Sequence, residues 1–418
     1  MKRGALVMKE LIIESDRCYM CKNPKCKAHC PINTPVPEII GLFKEGQIAK
    51  AGEILFKNNP LSLVCSIVCP HEDQCKGNCI RGIKDEPVSF CDIERHISKY
   101  YLENVKLEKE RELNERIAIV GGGPAGITIA FILAQKGYKV TIFDSHDKIG
   151  GVLRYGIPEF RLPKSIIDHY EERLIELGVK IRPNTLVGPV LTLDKLFYDG
   201  YKAIFIGTGV WNPKTLDIKG ESLGNVHYAI DYLKSPSVYN LGRKVCVIGA
   251  GDVAMDAART AKRSGAEEVY ILYRKGMENI PATKVELEGA ISDGIKFELF
   301  KAPLELTEEG VKYIETENIV DENGRINTVV IEGKEGLFQC DSIIISVSQS
   351  PKNNIVSNTT GLETNKWGLL LTDKFGHTTR EGVFASGDVV TGAKTVVQAA
   401  SHAKIVAEEI EKYIIEEK

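Results

Sequence analysis

The sequence predicts an α/β chain in which two strand–glycine turn–helix–strand units follow a small, cysteine-rich helical domain. Three observations predict it. "RIAIVGGGPAGITIAFILAQKGYKVTIFD" from Arg116 and "RKVCVIGAGDVAMDAARTAKRSGAEEVYILYRK" from Arg243 repeat one pattern. Nine of the eleven cysteines stand before residue 92. A length of 418 residues exceeds what one core organises, so two to four domains are expected.

The repeat sets the domain plan. Residues 1–112 read as the helical domain, with "EIIGLFKEGQIAKAGEILFKNN" as helix and "SFCDIERHISKYYLENVKLEKEREL" as a charged helix running out to Leu113. Residues 113–236 and 352–418 form the first nucleotide domain. Residues 237–351 form a second one inserted into it. Alternating strand signals fill Ile295 to Ser348, and "REGVFASGDVVTGAKTVVQAASHAKIVAEEIEKYI" closes the chain as strand, turn and long helix.

Bulk properties exclude several classes. Hydrophobic residues are 43% and charged residues 27%, which is globular, and a net charge of −3 lacks the basic footprint of a nucleic-acid binder. No apolar run reaches the ~18 residues of a membrane span. The first residues lack the unbroken apolar stretch of a signal peptide. The protein therefore reads as cytoplasmic.

That compartment bears on the cysteines. Cys18, Cys21, Cys26 and Cys30 lie in "CYMCKNPKCKAHCP"; Cys65, Cys69, Cys75 and Cys79 lie in "CSIVCPHEDQCKGNC". Cytosolic thiols stay reduced, so metal binding or redox chemistry is favoured over disulfides. Zinc is open, because Cys18-x2-Cys21 begins like a zinc site. Two 4Fe–4S clusters are the reading that gives a flavin an outlet for single electrons, since zinc is redox-silent. Cys91, Cys246 and Cys340 read as structural, the last two solitary in apolar strands. His29 and His71 read as ordinary loop or helix residues.

The glycines carry the nucleotide chemistry. Gly121, Gly123 and Gly126 follow a strand and open a helix. They serve the tight turn, the pyrophosphate approach and helix–strand packing respectively. Free amides at the helix N-terminus face phosphates. Asp144 ends the next strand, where an acid accepts hydrogen bonds from ribose hydroxyls. In the second unit Gly249, Gly251 and Ala254 take these places, with Asp252 and Val253 in the turn. Arg274 and Lys275 stand where an acid would otherwise sit, which suits the 2′-phosphate of NADPH. Two dinucleotides in one chain suggest hydride relay from nicotinamide to flavin. "SGD" at Ser386–Asp388 supports the flavin, with Gly387 and Asp388 at its ribityl chain.

"GGVLRYGIPEFRLPK", "IPATKVELEGA" and "GVFASGDVV" resemble the small chain of glutamate synthase and its relatives. These relatives include the FAD- and NADPH-binding part of dihydropyrimidine dehydrogenase and the large subunit of electron-bifurcating transhydrogenase. The resemblance covers nearly the whole chain. It implies two Rossmann-like domains in a disulfide-reductase-like arrangement, the first for FAD and the second for NADPH. It implies that Gly151, Leu153, Arg154 and Gly156 line the flavin ring and that Thr395 and Val396 belong to the FAD site. It also implies crossed cluster ligands. Cys18, Cys21, Cys26 and Cys79 hold one 4Fe–4S cluster; Cys30, Cys69, Cys75 and Glu94 hold the other, with Cys65 and Cys91 as competitors. Neither nucleotide domain carries the redox Cys-x-x-Cys of a disulfide reductase. The expectation is an electron-input subunit feeding a separate catalytic subunit.

Overall fold

Apolar runs buried on both faces become parallel strands, and the glycine-spaced runs become the turns between strands and helices. The computed structural model describes residues 2–320 and 326–416. They fall into two compact units: Met1–Leu153, Glu159–Val210 and Pro351–Lys418 in the first, Arg154–Pro158 and Trp211–Ser350 in the second.

The first unit begins with helices α1 (Lys2–Asp16), α2 (Val36–Lys44), α3 (Ile48–Asn58), α4 (Ser62–Val68) and α5 (Phe90–Asn104). Their apolar stripes close one core: Leu11, Ile39, Ile40, Leu55, Ile93 and Ile97 are buried together. Two readings change here. The stretch expected as continuous helix breaks between α2 and α3, where Gly46 takes φ 73°. The charged helix stops at Asn104, not Leu113. Beyond it the backbone finds partners elsewhere: Glu110 N–H donates to Gln135 C=O at 2.7 Å and Leu113 N–H to Gly137 C=O at 3.0 Å.

The first nucleotide-type fold follows as β1 (Arg116–Val120), α6 (Pro124–Gln135), β2 (Lys139–Phe143), α7 (Lys164–Glu176), β3 (Lys180–Arg182) and β4 (Tyr201–Ile206). Pro124 at the first turn of α6 suits a position with no helical N–H partner.

In the second unit, β5 (Val226–Tyr228), β6 (Lys244–Ile248), α8 (Asp252–Arg263), β7 (Glu268–Tyr273), α9 (Lys284–Ser292) and β8 (Lys296–Leu299) precede an antiparallel meander. The meander is β9 (Lys301–Thr307), β10 (Gly310–Val320) and β11 (Ile326–Gln339), and β12 (Ser342–Ile345) returns to the parallel sheet. That sheet has the order β5-β12-β6-β7-β8. Because β5 pairs with β12, the unit begins at Trp211, and the boundary expected at 237 lies inside it. Cys246 and Cys340 are both buried here but not solitary: the two thiols lie close enough to interact.

The chain then completes the first unit with β13 (Val383–Ala385) and α10 (Val396–Glu416), giving the parallel order β13-β4-β1-β2-β3. The helices of the cysteine-rich region pack directly on this sheet's helices. Phe56 of α3 meets Phe131 of α6 edge-on at 5.2 Å, and Phe131 meets Tyr170 of α7 at 5.9 Å. Ser401 Oγ donates to Pro31 C=O at 2.8 Å, and Lys404 Nζ to Asn58 Oδ1 at 2.9 Å. No helix among the described residues is long and apolar enough to cross a membrane.

Phe131 is fully buried in this seam. Phe131→Ala is expected to cost about 3–5 kcal/mol in denaturant unfolding, as for other large-to-small core changes. A loss below about 1 kcal/mol would mean that the seam does not hold the helices together.

Candidate cofactor and metal centres

The first glycine turn is fixed by close approach. Gly121 takes φ 102°. A Cβ on Gly126 would lie 2.0 Å from Gly121 O, so no side chain fits. Asp144, 5% exposed, braces this turn: its Oδ2 accepts from Gly122 N–H at 2.7 Å and its Oδ1 from His146 N–H at 2.8 Å. The acid read from sequence as a ribose acceptor thus first holds the protein's own backbone. Gly150 N–H donates to Gly122 C=O at 2.7 Å, and Gly151, φ 53°, would place a Cβ 2.8 Å from Gly123 Cα. "GG" is needed there because two backbones nearly touch.

The remaining expected flavin residues divide. Leu153 is buried in the first unit, whereas Arg154 and Gly156 fall with the second. Gly387 has φ 78° and precedes a half-buried Asp388. Burial pushes the Asp388 carboxyl up to about 6, and the Lys394 N–H at 3.2 Å and the Lys394 charge only partly offset this. Beside it, the Ser386 hydroxyl is buried without a hydrogen-bond partner among the described residues. Thr395 and Gln398 cap α10 reciprocally: Thr395 N–H donates to Gln398 Oε1 at 3.1 Å, and Gln398 N–H to Thr395 Oγ1 at 3.4 Å. Val396 is the first residue of that helix. An orphaned hydroxyl, an underpartnered acid and open glycine turns fit a hydroxyl-rich dinucleotide such as FAD.

In the second unit Gly249 takes φ 122°, and its Cβ would meet Ser346 O at 2.2 Å. Gly251 opens α8, and a Cβ there would meet no atom within 4 Å. That open space is where a pyrophosphate fits against the backbone. Asp252 is tied down: its Oδ1 accepts from Thr283 N–H at 2.8 Å and Thr283 Oγ1 at 3.2 Å. It braces the "IPAT" loop. Val253 is half-buried in the first turn of α8. Arg274 is exposed and Lys275 half-buried at the end of β7, and among the described residues neither forms an ion pair with a carboxylate. They fit an anionic ligand group.

Cys18, Cys21, Cys26 and Cys79 line one cavity of about 460 Å³ of atom-free space, with Tyr19, Ile40, Ile80 and Phe90 in its walls. Burial pushes the Cys18 thiol up and that of Cys26 to about 11, and each is raised further by the other thiols of this group. Cys75 also reaches this cavity. Among the described residues no three His, Cys, Asp or Glu side chains close on a single ion. The donor set is thiols around a space, which fits a polynuclear iron–sulfur group.

The second group clusters around Glu94, which is 6% exposed and not a surface acid. Burial pushes its carboxyl well above the usual range, and Cys65 adds to this. Cys69 is raised first by its hydrogen bond to Cys65, then by burial; Cys75 is raised by burial, then by Glu94 and by the charges of Cys91 and Cys30. Cys30 Sγ lies 3.3 Å from Thr34 Oγ1. Cys91 is half-buried, and burial pushes it to about 11. His29 is exposed, as expected, but His71 is not an ordinary residue. Its Nδ1 lies 3.6 Å from Cys75 Sγ and its Nε2 3.2 Å from Ser66 O. Sequence reasoning also passed over Asn59, whose Nδ2 donates to Cys65 Sγ at 3.2 Å. The Cys-rich context signals neither contact, because both depend on how α4 packs.

Asp388 yields a pH-dependent expectation. Its folded value lies above the usual carboxylate value of about 3.9, so folding opposes ionisation. The group therefore subtracts stability from the flavin-free protein as pH rises from about 4 through 6. Asp388→Asn is expected to raise the melting temperature of flavin-free protein at pH 7 while lowering its retained flavin. Unchanged flavin occupancy would remove Asp388 from the site.

Comparison with known proteins bears on this geometry. A family model described as pyridine nucleotide-disulphide oxidoreductase matches residues 115–403 and, separately, 93–198. One described as dihydropyrimidine dehydrogenase domain II, 4Fe-4S cluster, matches residues 3–106. The glutamate synthase (NADPH) small chain of Azospirillum brasilense is 33% identical, covering 96% of this chain and 88% of that protein. That of Escherichia coli (strain K12) is 31% identical, covering 96% and 91%. Among solved structures, Mycobacterium tuberculosis FprA in complex with NADPH superposes with a TM-score of 0.62 at 18% identity, over 73% of this chain and 85% of that one. T. acidophilum thioredoxin reductase gives 0.55 at 20% identity, over 73% and 100%. These two structures bear out the fold class read from sequence. The chain belongs to the pyridine nucleotide-disulphide oxidoreductase family, within its glutamate synthase small-chain group, and is an NADPH-dependent flavoprotein oxidoreductase with a 4Fe–4S domain.

Proposed function

We propose that this chain is the electron-input subunit of a larger cytoplasmic enzyme. It takes hydride from NADPH and passes single electrons through two 4Fe–4S clusters to a separate catalytic subunit, as a glutamate synthase small chain. The observation that carries this reading is the packing of both thiol groups and the first glycine turn within one unit, across the Phe56–Phe131 seam. FAD supplies the conversion between a two-electron hydride donor and one-electron acceptors.

The chain's residues position these groups. Amides at Gly121–Gly126 and Gly249–Ala254 face the two pyrophosphates. Asp144 keeps lone pairs beyond those used by Gly122 and His146, because a carboxylate offers about four acceptor sites. Those sites suit ribose hydroxyls. Asp388 and Gly387 hold the ribityl chain, with Thr395 and Val396 at the mouth of α10. Gly151 and Leu153 border the ring. Arg274 and Lys275 select the 2′-phosphate. Cys18, Cys21, Cys26 and Cys79 hold one cluster; Cys30, Cys69, Cys75 and Glu94 hold the other. No side chain is needed as general acid or base, since hydride transfer depends on positioning.

A second reading is the FAD subunit of an NAD(P)-dependent dihydropyrimidine dehydrogenase, or a subunit of bifurcating-transhydrogenase type. The match of residues 3–106 to the dihydropyrimidine dehydrogenase cluster domain favours keeping it. Anaerobic affinity purification from the native host separates the readings. The expected result is one FAD and about eight irons per chain, with a stoichiometric amidotransferase-type partner. A flavin-barrel partner would select the second reading, and about four irons would remove one cluster.

Nucleotide choice gives a further outcome. Exchanging Arg274 and Lys275 together for glutamate is expected to lower the NADPH-to-NADH ratio of kcat/KM by about 100-fold, or roughly 3 kcal/mol. An unchanged ratio would contradict the 2′-phosphate assignment.

A further inference from the structure

Cys65 has no role in either ligand set, yet it is 3% exposed and sits within the second one. It lies on α4 one turn before Cys69, whose N–H donates to the Cys65 carbonyl at 3.1 Å. Residues four apart share a helix face, and the two thiols lie close enough to interact. On its other side, the Cys65 sulfur accepts from Asn59 Nδ2 at 3.2 Å. Asn59 is itself fixed, because its Oδ1 accepts from Leu61 N–H at 3.0 Å.

We infer that Cys65 is a hydrogen-bond donor that tunes the cluster held by Cys30, Cys69, Cys75 and Glu94, and is not a ligand of it. The inference rests on the two-cluster reading above. Two facts support it. Four ligands are already supplied without Cys65. Asn59 also occupies an acceptor position of the Cys65 sulfur, and a ligand thiolate at Cys69 has no proton to give, so of the two sulfurs only Cys65 keeps an S–H to donate. When Cys69 is a ligand thiolate, the direction Asn59 to Cys65 to Cys69 delivers a positive dipole end to the cluster. Reduction adds a negative charge to a cluster, so a donor to a ligand sulfur stabilises the reduced state and raises the potential. Cys65 is a positioning and tuning residue: it acts through Cys69.

The test uses anaerobically purified holoprotein with Cys65→Ala, Cys65→Val and Cys65→Ser. Iron and acid-labile sulfide are counted per chain, and each cluster's midpoint potential is read by electron paramagnetic resonance during redox titration. Alanine and the nearly volume-matched valine are expected to keep the wild-type iron content and shift one cluster to a more negative potential. The other cluster stays unmoved. Serine, which keeps a donor, is expected to restore most of the shift. Loss of about four irons in the alanine and valine variants would make Cys65 a ligand and overturn the inference. Full iron with unmoved potentials would reduce Cys65 to packing and overturn it equally. A wild-type protein with iron for one cluster only would instead bring down the reading beneath it, and this inference with it.

Discussion

The edge-on contact between Phe56 and Phe131 is the interaction on which the rest depends. Phe131 sits on α6, the helix that opens at the first glycine turn; Phe56 sits on α3, beside the helices that carry the thiols. An aromatic pair contributes about 0.5–1.5 kcal/mol beyond its buried area. More important is what it fixes. Tyr101 on α5 continues the contact to Phe56 at 5.6 Å, and Tyr170 on α7 continues it from Phe131. Both cysteine groups are thereby set at a constant position relative to one nucleotide fold. The cysteine region and the nucleotide fold are thus joined by a buried seam and not by a linker.

Within the site, burial sets the chemistry. Thiols at Cys18, Cys26, Cys69 and Cys75 and the Glu94 carboxyl all have their neutral forms favoured. A thiol or carboxyl must lose its proton to bind metal, so metal binding at these groups would release protons. Such a buried environment screens charge poorly, which makes each nearby donor count. Asn59, Cys65 and His71 are the donors or acceptors that the packing of α4 brings there. Asp388 follows a similar logic: a half-buried acid with few protein partners has its neutral form favoured.

The sequence made the glycine sites legible because their constraint is local. Gly126 must be glycine since Gly121 O stands where its Cβ would be, and both lie in one turn. The cation pair at Arg274 and Lys275 is equally local, following directly from the end of β7. What was not legible depends on distant partners. Helix α5 stops at Asn104 because the next residues bond to the end of α6. The inserted unit begins early because β5 pairs with a strand more than a hundred residues later. Cys246 and Cys340 looked solitary because only the sheet brings them together. The sequence singles out Glu94 only through family resemblance, as a ligand position; its burial is not legible in its own helix, where an acid between Ile93 and Arg95 reads equally well as exposed.

The most direct measurement of the central claim is rapid-freeze electron paramagnetic resonance after anaerobic mixing of the holoprotein with NADPH, with flavin absorbance followed in parallel. The account predicts that cluster signals develop after flavin bleaching begins, at a rate the bleaching sets. Flavin that bleaches fully while both clusters stay oxidised would contradict it, because the thiol centres would then lie off the electron path.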